Sequence, residues 1–199
     1  MPIELVFATH NAHKALEIAA MLPDGYTMKT ITDIGISEDI PETGDTLEEN
    51  SRQKVDYVLS RHTCNCFADD TGLMVDALGG EPGVYSARYA GENATYEDNV
   101  NKLLSVMEGI EDRTARFSTV ITLSLDGNIY TFTGSVEGEI TTSASGSEGF
   151  GYDPIFLPRE SDRTFAQMTM EEKATISHRG RAFAAMIDFL KNYNTTQND

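Results

Sequence analysis

Two adjacent carboxylates, Asp69 and Asp70, follow a short apolar stretch and are themselves followed by Thr71-Gly72. The stretch Cys64–Ala68 is predicted to form a buried strand, so the aspartates would lie at its end, where α/β sheets place ligand sites. Neighbouring strand residues point to opposite faces, so we expect one aspartate to face a ligand and the other to be structural. A turn in which either carboxylate accepts backbone hydrogen bonds is the alternative.

Two known uses of such an aspartate do not fit the chain. The segment Asp70-Thr71-Gly72 matches the short motif of aspartic proteases, but their chemistry needs two such aspartates and the chain carries one copy. Haloacid-dehalogenase phosphatases carry two aspartates with one residue between them, whereas Asp69 and Asp70 are adjacent.

A further carboxylate, Glu42, lies in a predicted loop ahead of a helix. Thr46 and Glu49 form a capping-box pattern, which predicts a helix that starts there and reaches about Arg61. Glu42 and Asp70 together could supply the one or two carboxylates that Mg²⁺ usually takes from a protein. A solvated acidic loop is the alternative.

The turn Thr9-His10-Asn11-Ala12-His13-Lys14 joins a predicted strand over Ile3–Ala8 to a predicted helix. Free backbone N–H groups and the helix dipole favour an anion at such a helix start. Thr9 and Asn11 can cap the helix, and Lys14 lies one turn further on. The chain contains no Walker A motif, and a purely structural capped helix is the alternative.

Phe150 stands between Gly149 and Gly151, where few neighbours are available to bury its ring. Such a ring can present its face to a nucleobase, because any base stacks on an aromatic ring. Asp153 could accept a hydrogen bond from a ring N–H or from the backbone. An ordered turn with Phe150 in the core is an equally good interpretation of this segment.

Basic residues stand at the predicted start of the last helix. With Ser177 as N-cap, His178 and Arg179 fall in the first turn, where the helix dipole disfavours cations. Together with Lys173, they indicate an anion or a carbonyl-rich ligand at this helix end.

Strands that alternate with helices, together with one hairpin, predict an α/β fold with a mixed sheet. The hairpin is indicated by Asp126-Gly127 between two alternating segments. The first helix shows an apolar pattern that includes Leu16 and Ala19. We find no linker, so residues 1–199 are predicted to form one domain, with a frayed polar tail over residues 192–199.

The 199-residue chain carries 15 Lys and Arg against 32 Asp and Glu, a formal net charge of −17. Such acidity argues against a nucleic-acid polymer or an anionic membrane as partner, but not against a small anion in a local site. The two cysteines, Cys64 and Cys66, are expected to be buried and reduced. The start of the chain shows no basic segment followed by an apolar one, so we expect a cytoplasmic protein.

In this order, the segments resemble the inosine triphosphate pyrophosphatase family, also described as dITP/XTP or non-standard purine nucleoside triphosphate pyrophosphatases. The resemblance extends from Thr9 to Arg179 and includes residues 75–80 and 82–91. It implies Mg²⁺-dependent hydrolysis of ITP, dITP and XTP to the monophosphate and pyrophosphate. It also implies an elongated two-lobed α/β fold with a central mixed sheet flanked by helices, an active-site cleft between the lobes, and a homodimer.

The resemblance assigns a role to most of the residues above. Asp70 would be the general base, and Glu42 would join it at Mg²⁺. The residues implied at the triphosphate are Thr9, His10, Asn11, Ala12, His13, Lys14, Lys54 and Thr71. Those implied at the purine are Phe150, which stacks, with Gly151, Tyr152 and Asp153 in the same segment, and Lys173, His178 and Arg179. A non-catalytic nucleotide-binding or sensor module is the alternative function.

Overall fold

The computed structural model describes residues 2–196, without the side chains of Glu17 and of residues 194–196. The helices are α1 (Ala12–Ala19), α2 (Leu47–Leu59), α3 (Tyr96–Val106), α4 (Met170–Ile176) and α5 (His178–Thr196). The strands are β1 (Ile3–Phe7), β2 (Tyr26–Thr30), β3 (Asn65–Val75), β4 (Pro82–Gly83), β5 (Thr114–Leu125), β6 (Asn128–Ile140) and β7 (Phe156–Pro158).

The strands form one seven-stranded sheet in the order β2-β1-β3-β5-β6-β7, and β4 pairs with β3 outside this order. β1 runs parallel to β2 and β3, whereas β4 is antiparallel to β3 and β7 is antiparallel to β6. The predicted α/β fold with a mixed sheet is confirmed. The predicted hairpin turn is also present, since Asp126 and Gly127 both have positive φ, at 50° and 80°, as the favoured two-residue turn requires.

The chain divides into two compact units. The first comprises the residues up to Asp70, Val120–Thr133 and those from Ala182 onward, and the second comprises Thr71–Thr119 and Gly134–Arg181. The unit bounds therefore fall within strands β3, β5 and β6 and within helix α5. The location of the active site in a cleft between two lobes stays a prediction.

In the first unit, both faces of the sheet are covered. Leu5 and Phe7 of β1 pack with α5 residues such as Phe183 in one apolar cluster, while Val6 packs with Val55 of α2 in another. A strand segment that is buried on both faces must be apolar throughout, which explains the apolar sequence Leu5-Val6-Phe7 at the buried end of β1.

In the second unit, one cluster of buried side chains forms the core. Its members are Leu73, Val75, Val100, Leu103, Met107, Ala115, Phe117, Val136, Ile140, Tyr152, Ile155, Phe156, Phe165 and Met168. Val100 and Leu103 of α3 lie in this core, together with Met107, which directly follows the helix.

The prediction that a strand ends before Asp69 is wrong. β3 continues through both aspartates to Val75, because its last residues pair antiparallel with Pro82 and Gly83. Leu73 and Val75 also enter the second core, which favours the extended conformation at these positions. The two carboxylates therefore lie in the middle of a long strand, where the backbone fixes their directions.

Two smaller expectations need correction. Leu16 and Ala19, predicted to belong to the packed face of α1, are both exposed, Leu16 at 65%, whereas Ile18 of the same helix is fully buried. Cys66 is buried as a free thiol, and burial raises its pKa to about 12, but Cys64 is partly exposed. α5 continues to Thr196 and residues 197–199 lie outside the described part, so the frayed tail over residues 192–199 stays a prediction. Within that part, no helix is long and apolar enough to cross a membrane.

The corrected face of α1 leads to a test. Ile18→Ala removes a fully buried side chain and should lower the free energy of unfolding by about 2–4 kcal/mol. Leu16→Ala, on the exposed side of the same helix, should change it by less than about 0.5 kcal/mol. Urea unfolding of both variants provides the comparison, and equal losses would contradict the packing described for α1.

Candidate active site

Lys54 is the centre of a buried polar group in the first unit. Its ammonium group donates to the backbone carbonyl of Asp69 at 3.0 Å, contacts Asp70 Oδ1 at 3.4 Å, and forms an ion pair with Glu42. The pairing of β3 with β1 ends at Phe67, so the carbonyl of Asp69 lies beyond that ladder and accepts from Lys54 instead.

α2 places Lys54 in this position. Its buried side chains are Asn50, Ser51, Lys54, Val55 and Val58, which share one face of the helix. The apolar members pack in the core and the polar members face β3 and β5, where Ser51 Oγ lies 2.8 Å from Thr122 Oγ1. The predicted capping box is present, with Thr46 as N-cap and Glu49 as its partner, so the start of the helix is fixed as well.

Asp70 is buried and held from two sides. Asn50 Nδ2 donates to its Oδ2 at 3.1 Å, and Lys54 contacts its Oδ1. Burial raises the pKa of Asp70, the charges of Lys54 and Lys14 and the bond from Asn50 oppose this rise, and Glu42 adds to it. The pKa of Asp70 is therefore above its usual value, which makes the ionised carboxylate a better proton acceptor.

Lys54 stays charged in this environment. Burial alone would lower the pKa of Lys54, but the charges of Asp70, Glu42 and Asp69 outweigh burial and raise it. A buried ammonium group that contacts several acidic groups is held in its protonated form.

The segment that carries Glu42 is anchored to the same helix. Asn50 Oδ1 accepts from the backbone N–H of Gly44 at 2.8 Å, and Gln53 Oε1 accepts from that of Thr43 at 3.0 Å. Asn50 thus holds both the Glu42 segment and the Asp70 carboxylate. The loop that carries Glu42 is therefore ordered by hydrogen bonds to α2.

Asp69 and Asp70 have different partners. The carboxylate of Asp69 is almost fully buried and accepts from Lys14 Nζ at 3.0 Å. Asn11 is the N-cap of α1, and its Oδ1 accepts from the backbone N–H groups of His13 and Lys14 at 3.0 and 3.2 Å. The predicted capping role of Asn11 is confirmed, and Lys14 reaches the aspartate pair from the start of α1.

The other residues predicted around this turn lie further out. Thr9 Oγ1 accepts from the backbone of Asn11, and Ala12 and His13 are exposed. The ring of His10 contacts the carbonyl of Glu38 at 3.0 Å. The structure therefore brings Lys14, Lys54, Glu42 and Asp70 together, and the ligand contacts of the remaining turn residues stay predictions.

In the second unit, Asp153 organises the segment around Phe150. Asp153 Oδ2 accepts from the backbone N–H of Phe150 at 2.9 Å and from Lys173 Nζ at 2.7 Å. Gly149 has φ of +73°, and a Cβ atom there would lie 2.1 Å from the same carboxylate oxygen. Only glycine fits this position, so the segment has one defined shape.

Two buried cations lie near the ring of Phe150. Lys173 Nζ is 5.0 Å and Arg179 Cζ is 5.3 Å from the ring centroid, and the ring itself is half-buried. Arg179 also donates to Thr71 Oγ1 at 3.4 Å, and that hydroxyl lies 2.7 Å from Thr119 Oγ1. The ring of Phe150 is thus only partly buried, and two cationic side chains lie near it.

His178 and Tyr152 serve the packing of the second unit. The imidazole of His178 stacks on Phe117 with ring centroids 4.5 Å apart. Tyr152 is buried and donates from its hydroxyl to the carbonyl of Ser86 at 2.8 Å, and burial raises its pKa. Ser177 caps α5 as predicted, because its Oγ accepts from the backbone N–H of Gly180 at 3.0 Å. Gly151, the other glycine beside Phe150, also has positive φ.

Sequence reasoning missed several members of the two groups. Asn50 is the most important, and its position four residues before Lys54 on a predicted helix indicates that both share one face. The ion pair of Asp69 with Lys14 and the hydroxyl contact of Thr119 with Thr71 join residues far apart in sequence. No local pattern could have indicated those two contacts.

Within residues 2–196, no group of three or more His, Cys, Asp or Glu side chains is arranged to hold a metal ion. Two carboxylates do converge on one cation, since Glu42 and Asp70 both contact the ammonium group of Lys54. Two carboxylate groups are the number that Mg²⁺ commonly takes from a protein, with water and phosphate as its other ligands.

Comparison with known proteins gives consistent matches along the chain. The sequence model of the Ham1 family matches residues 5–189. A dITP/XTP pyrophosphatase of Flavobacterium johnsoniae is 54% identical over 188 residues, which are 94% of this chain and 98% of that protein. Another of the same name, from Bacillus subtilis, is 45% identical over 192 residues, which are 94% and 97% of the two chains. The structure of the Staphylococcus aureus Ham1 protein, 42% identical, matches with a TM-score of 0.87 over 96% of this chain and 99% of that one.

The burial of Lys54 leads to a stability test. Lys54→Met leaves the carboxylates of Glu42 and Asp70 without their shared cation and should lower the free energy of unfolding by about 3 kcal/mol or more. The control is Lys29→Met, which removes an exposed ion pair with Glu4 and should change it by less than about 1 kcal/mol. Urea unfolding measures both, and a Lys54→Met loss as small as that of the control would contradict the role of Lys54.

Proposed function

The chain belongs to the Ham1 family, and on this premise we propose that it hydrolyses ITP, dITP and XTP to the nucleoside monophosphate and pyrophosphate. The observation that carries the proposal is the buried carboxylate of Asp70, which Asn50 and Lys54 hold in place and whose pKa burial raises. A carboxylate fixed in this way can take a proton from a water molecule near neutral pH.

In the proposed reaction, a water oxygen attacks the α-phosphorus of the nucleotide. The bond between that phosphorus and the oxygen bridging to the β-phosphorus breaks, and the bridging oxygen leaves with pyrophosphate. Asp70 accepts the proton that the water loses. Asn50 and Lys54 keep the carboxylate oriented for this step, since each contacts one of its oxygens.

Mg²⁺ is the proposed cofactor, with Glu42 and Asp70 as the residues that would hold it. The convergence of their carboxylates on the ammonium group of Lys54 supports this assignment, because these oxygens already share one cation. When bound, Mg²⁺ would lower the pKa of a water molecule and neutralise charge on the phosphates. Lys54 and Lys14 add positive charge beside the aspartate pair.

The residues of the first unit would handle the triphosphate. The start of α1 supplies backbone N–H groups, and Lys14 supplies an ammonium group on its first turn. The hydroxyl of Thr71, the first residue of the second unit and the neighbour of Asp70 in the chain, is proposed as a further phosphate donor. Thr9, His10, Ala12 and His13 are proposed contacts that depend on the resemblance alone.

The residues of the second unit would handle the purine. Phe150 presents a half-buried ring for stacking, and Lys173 and Arg179 are buried donors beside it. Donors aimed at a 6-oxo group would be left unpaired when a 6-amino purine binds, which would select hypoxanthine and xanthine over adenine. The proposed set at the purine is completed by His178, Asp153, Gly151 and Tyr152. Of these, Tyr152 would act by holding the segment around Phe150 in its conformation.

A homodimer, a cytoplasmic location and the absence of a nucleic-acid polymer as partner complete the proposal. The net charge of −17 supports the last of these, since a polyanion would be repelled by most of the surface. The dimer rests on the resemblance of the sequence to the family, and the location rests on the lack of a long apolar segment in the sequence.

The catalytic role of Asp70 leads to an activity test. Asp70→Asn keeps the size of the side chain but removes the proton acceptor, so kcat for ITP should fall by about a hundredfold or more. The assay measures pyrophosphate and monophosphate from ITP, XTP, GTP and ATP with Mg²⁺, and the wild type should prefer ITP and XTP.

Asp56→Asn is the matched control, because Asp56 forms only an exposed ion pair on α2 and should leave kcat unchanged. Equal rates for wild type and Asp70→Asn would contradict the assignment of the base. Saturable binding of ITP without turnover would favour a sensor module, and release of single phosphates would indicate a general phosphatase.

The stacking role of Phe150 leads to a second test. Phe150→Ala removes the ring that the purine would contact, so KM for ITP should rise by about tenfold, in keeping with the usual contribution of base stacking. Because the ring would contact the base equally in ground and transition states, kcat should change little. Steady-state kinetics measure both parameters, and an unchanged KM would show that the base binds elsewhere.

A further inference from the structure

Tyr96 is a large aromatic side chain that remains 46% exposed. It is the first residue of α3, and its ring centroid lies 5.8 Å from that of Phe150 with the two planes inclined at 41°. This is a normal separation for interacting aromatic rings, so Tyr96 contacts the ring to which the purine is assigned.

The position of Tyr96 is fixed by its surroundings. Thr95 caps α3 and forms a complete capping box with Asp98, so the helix begins at a defined residue. Asn99 donates to the carbonyl of Ala87 at 3.0 Å and accepts from the backbone N–H of Ala90 at 2.8 Å, which ties the first turn to the preceding segment. The backbone of Tyr96 is therefore ordered before a ligand binds, so binding does not have to order it.

The two rings offer an angled aromatic surface. A flat base that stacks on Phe150 would meet the inclined ring of Tyr96 at its own edge, an arrangement that aromatic groups favour. The cations near Phe150 are Lys173 and Arg179, so the surface combines aromatic area with donors.

We propose that Tyr96 is a substrate-binding residue that extends the Phe150 surface along the edge of the purine. The inference rests on the proposed function, because it takes Phe150 as the stacking ring. The aromatic ring carries the contact, so the hydroxyl group of Tyr96 is dispensable. The contact lies on the base and not at the reacting phosphorus, so it acts on ground and transition states alike.

The test compares Tyr96→Ala, Tyr96→Phe and wild type in ITP hydrolysis. Tyr96→Ala should raise KM by about fivefold with kcat nearly unchanged, the effect expected for loss of one aromatic contact to a base. Tyr96→Phe should behave as the wild type. Val106→Ala is the control, since Val106 is 42% exposed at the other end of the same helix and should change neither parameter.

Inorganic triphosphate, which has no base, separates binding of the purine from a general disturbance of the protein. Its inhibition constant should be the same for wild type and Tyr96→Ala. An equal weakening of inorganic triphosphate and ITP would overturn the inference, as would an unchanged KM in Tyr96→Ala when Phe150→Ala raises it.

Calorimetric binding of ITP distinguishes this inference from the proposed function. If the wild type binds ITP without hydrolysing it, the proposed function fails. A weaker dissociation constant in Tyr96→Ala, restored in Tyr96→Phe, would then still support the aromatic contact, and equal constants for all three proteins would overturn it.

Discussion

One buried ammonium group, that of Lys54, organises the acidic side of the proposed site. It contacts Glu42, Asp70 and the backbone of Asp69, and without it two carboxylates would lie close together without compensating charge. Asn50 adds the geometric constraint, since it bonds both Asp70 and the segment that carries Glu42. Removing one charged partner from such a buried arrangement is far more unfavourable than removing an exposed ion pair. The proposed chemistry of Asp70 therefore depends on the position of α2.

In the second unit, a single buried charge also holds several groups in place, but there the charge is negative. There one buried carboxylate, Asp153, holds the backbone of Phe150 and the ammonium group of Lys173, while Arg179 lies near the ring. Because basic side chains are buried in these groups, a chain of net charge −17 can still bind an anionic substrate. Four of its basic residues, Lys14, Lys54, Lys173 and Arg179, belong to the two polar groups, and the acidity of the remaining surface favours solubility.

The sequence predicted the fold class, the helix caps at Asn11, Thr46 and Ser177, and the hairpin, because each depends on patterns among neighbouring residues. It did not predict that β3 continues through Asp69 and Asp70, since that depends on pairing with β4 and on a second core. Leu16 was misjudged because periodicity alone does not say which side of a short helix is covered. For the site, the residue pattern itself indicated Glu42 and Asp70 as a carboxylate pair, whereas Lys54 was indicated only through the family resemblance. The sequence did not reveal that Asn50 bonds both Asp70 and the segment that carries Glu42.

In the proposed reaction, a water molecule that Asp70 deprotonates attacks the α-phosphorus of a non-standard purine nucleotide. Hydrolysis of ITP in water enriched in oxygen-18, followed by mass spectrometry of both products, tests this step. One labelled oxygen is expected in inosine monophosphate and none in pyrophosphate. Label in pyrophosphate would place the attack at the β-phosphorus and would contradict the proposed reaction.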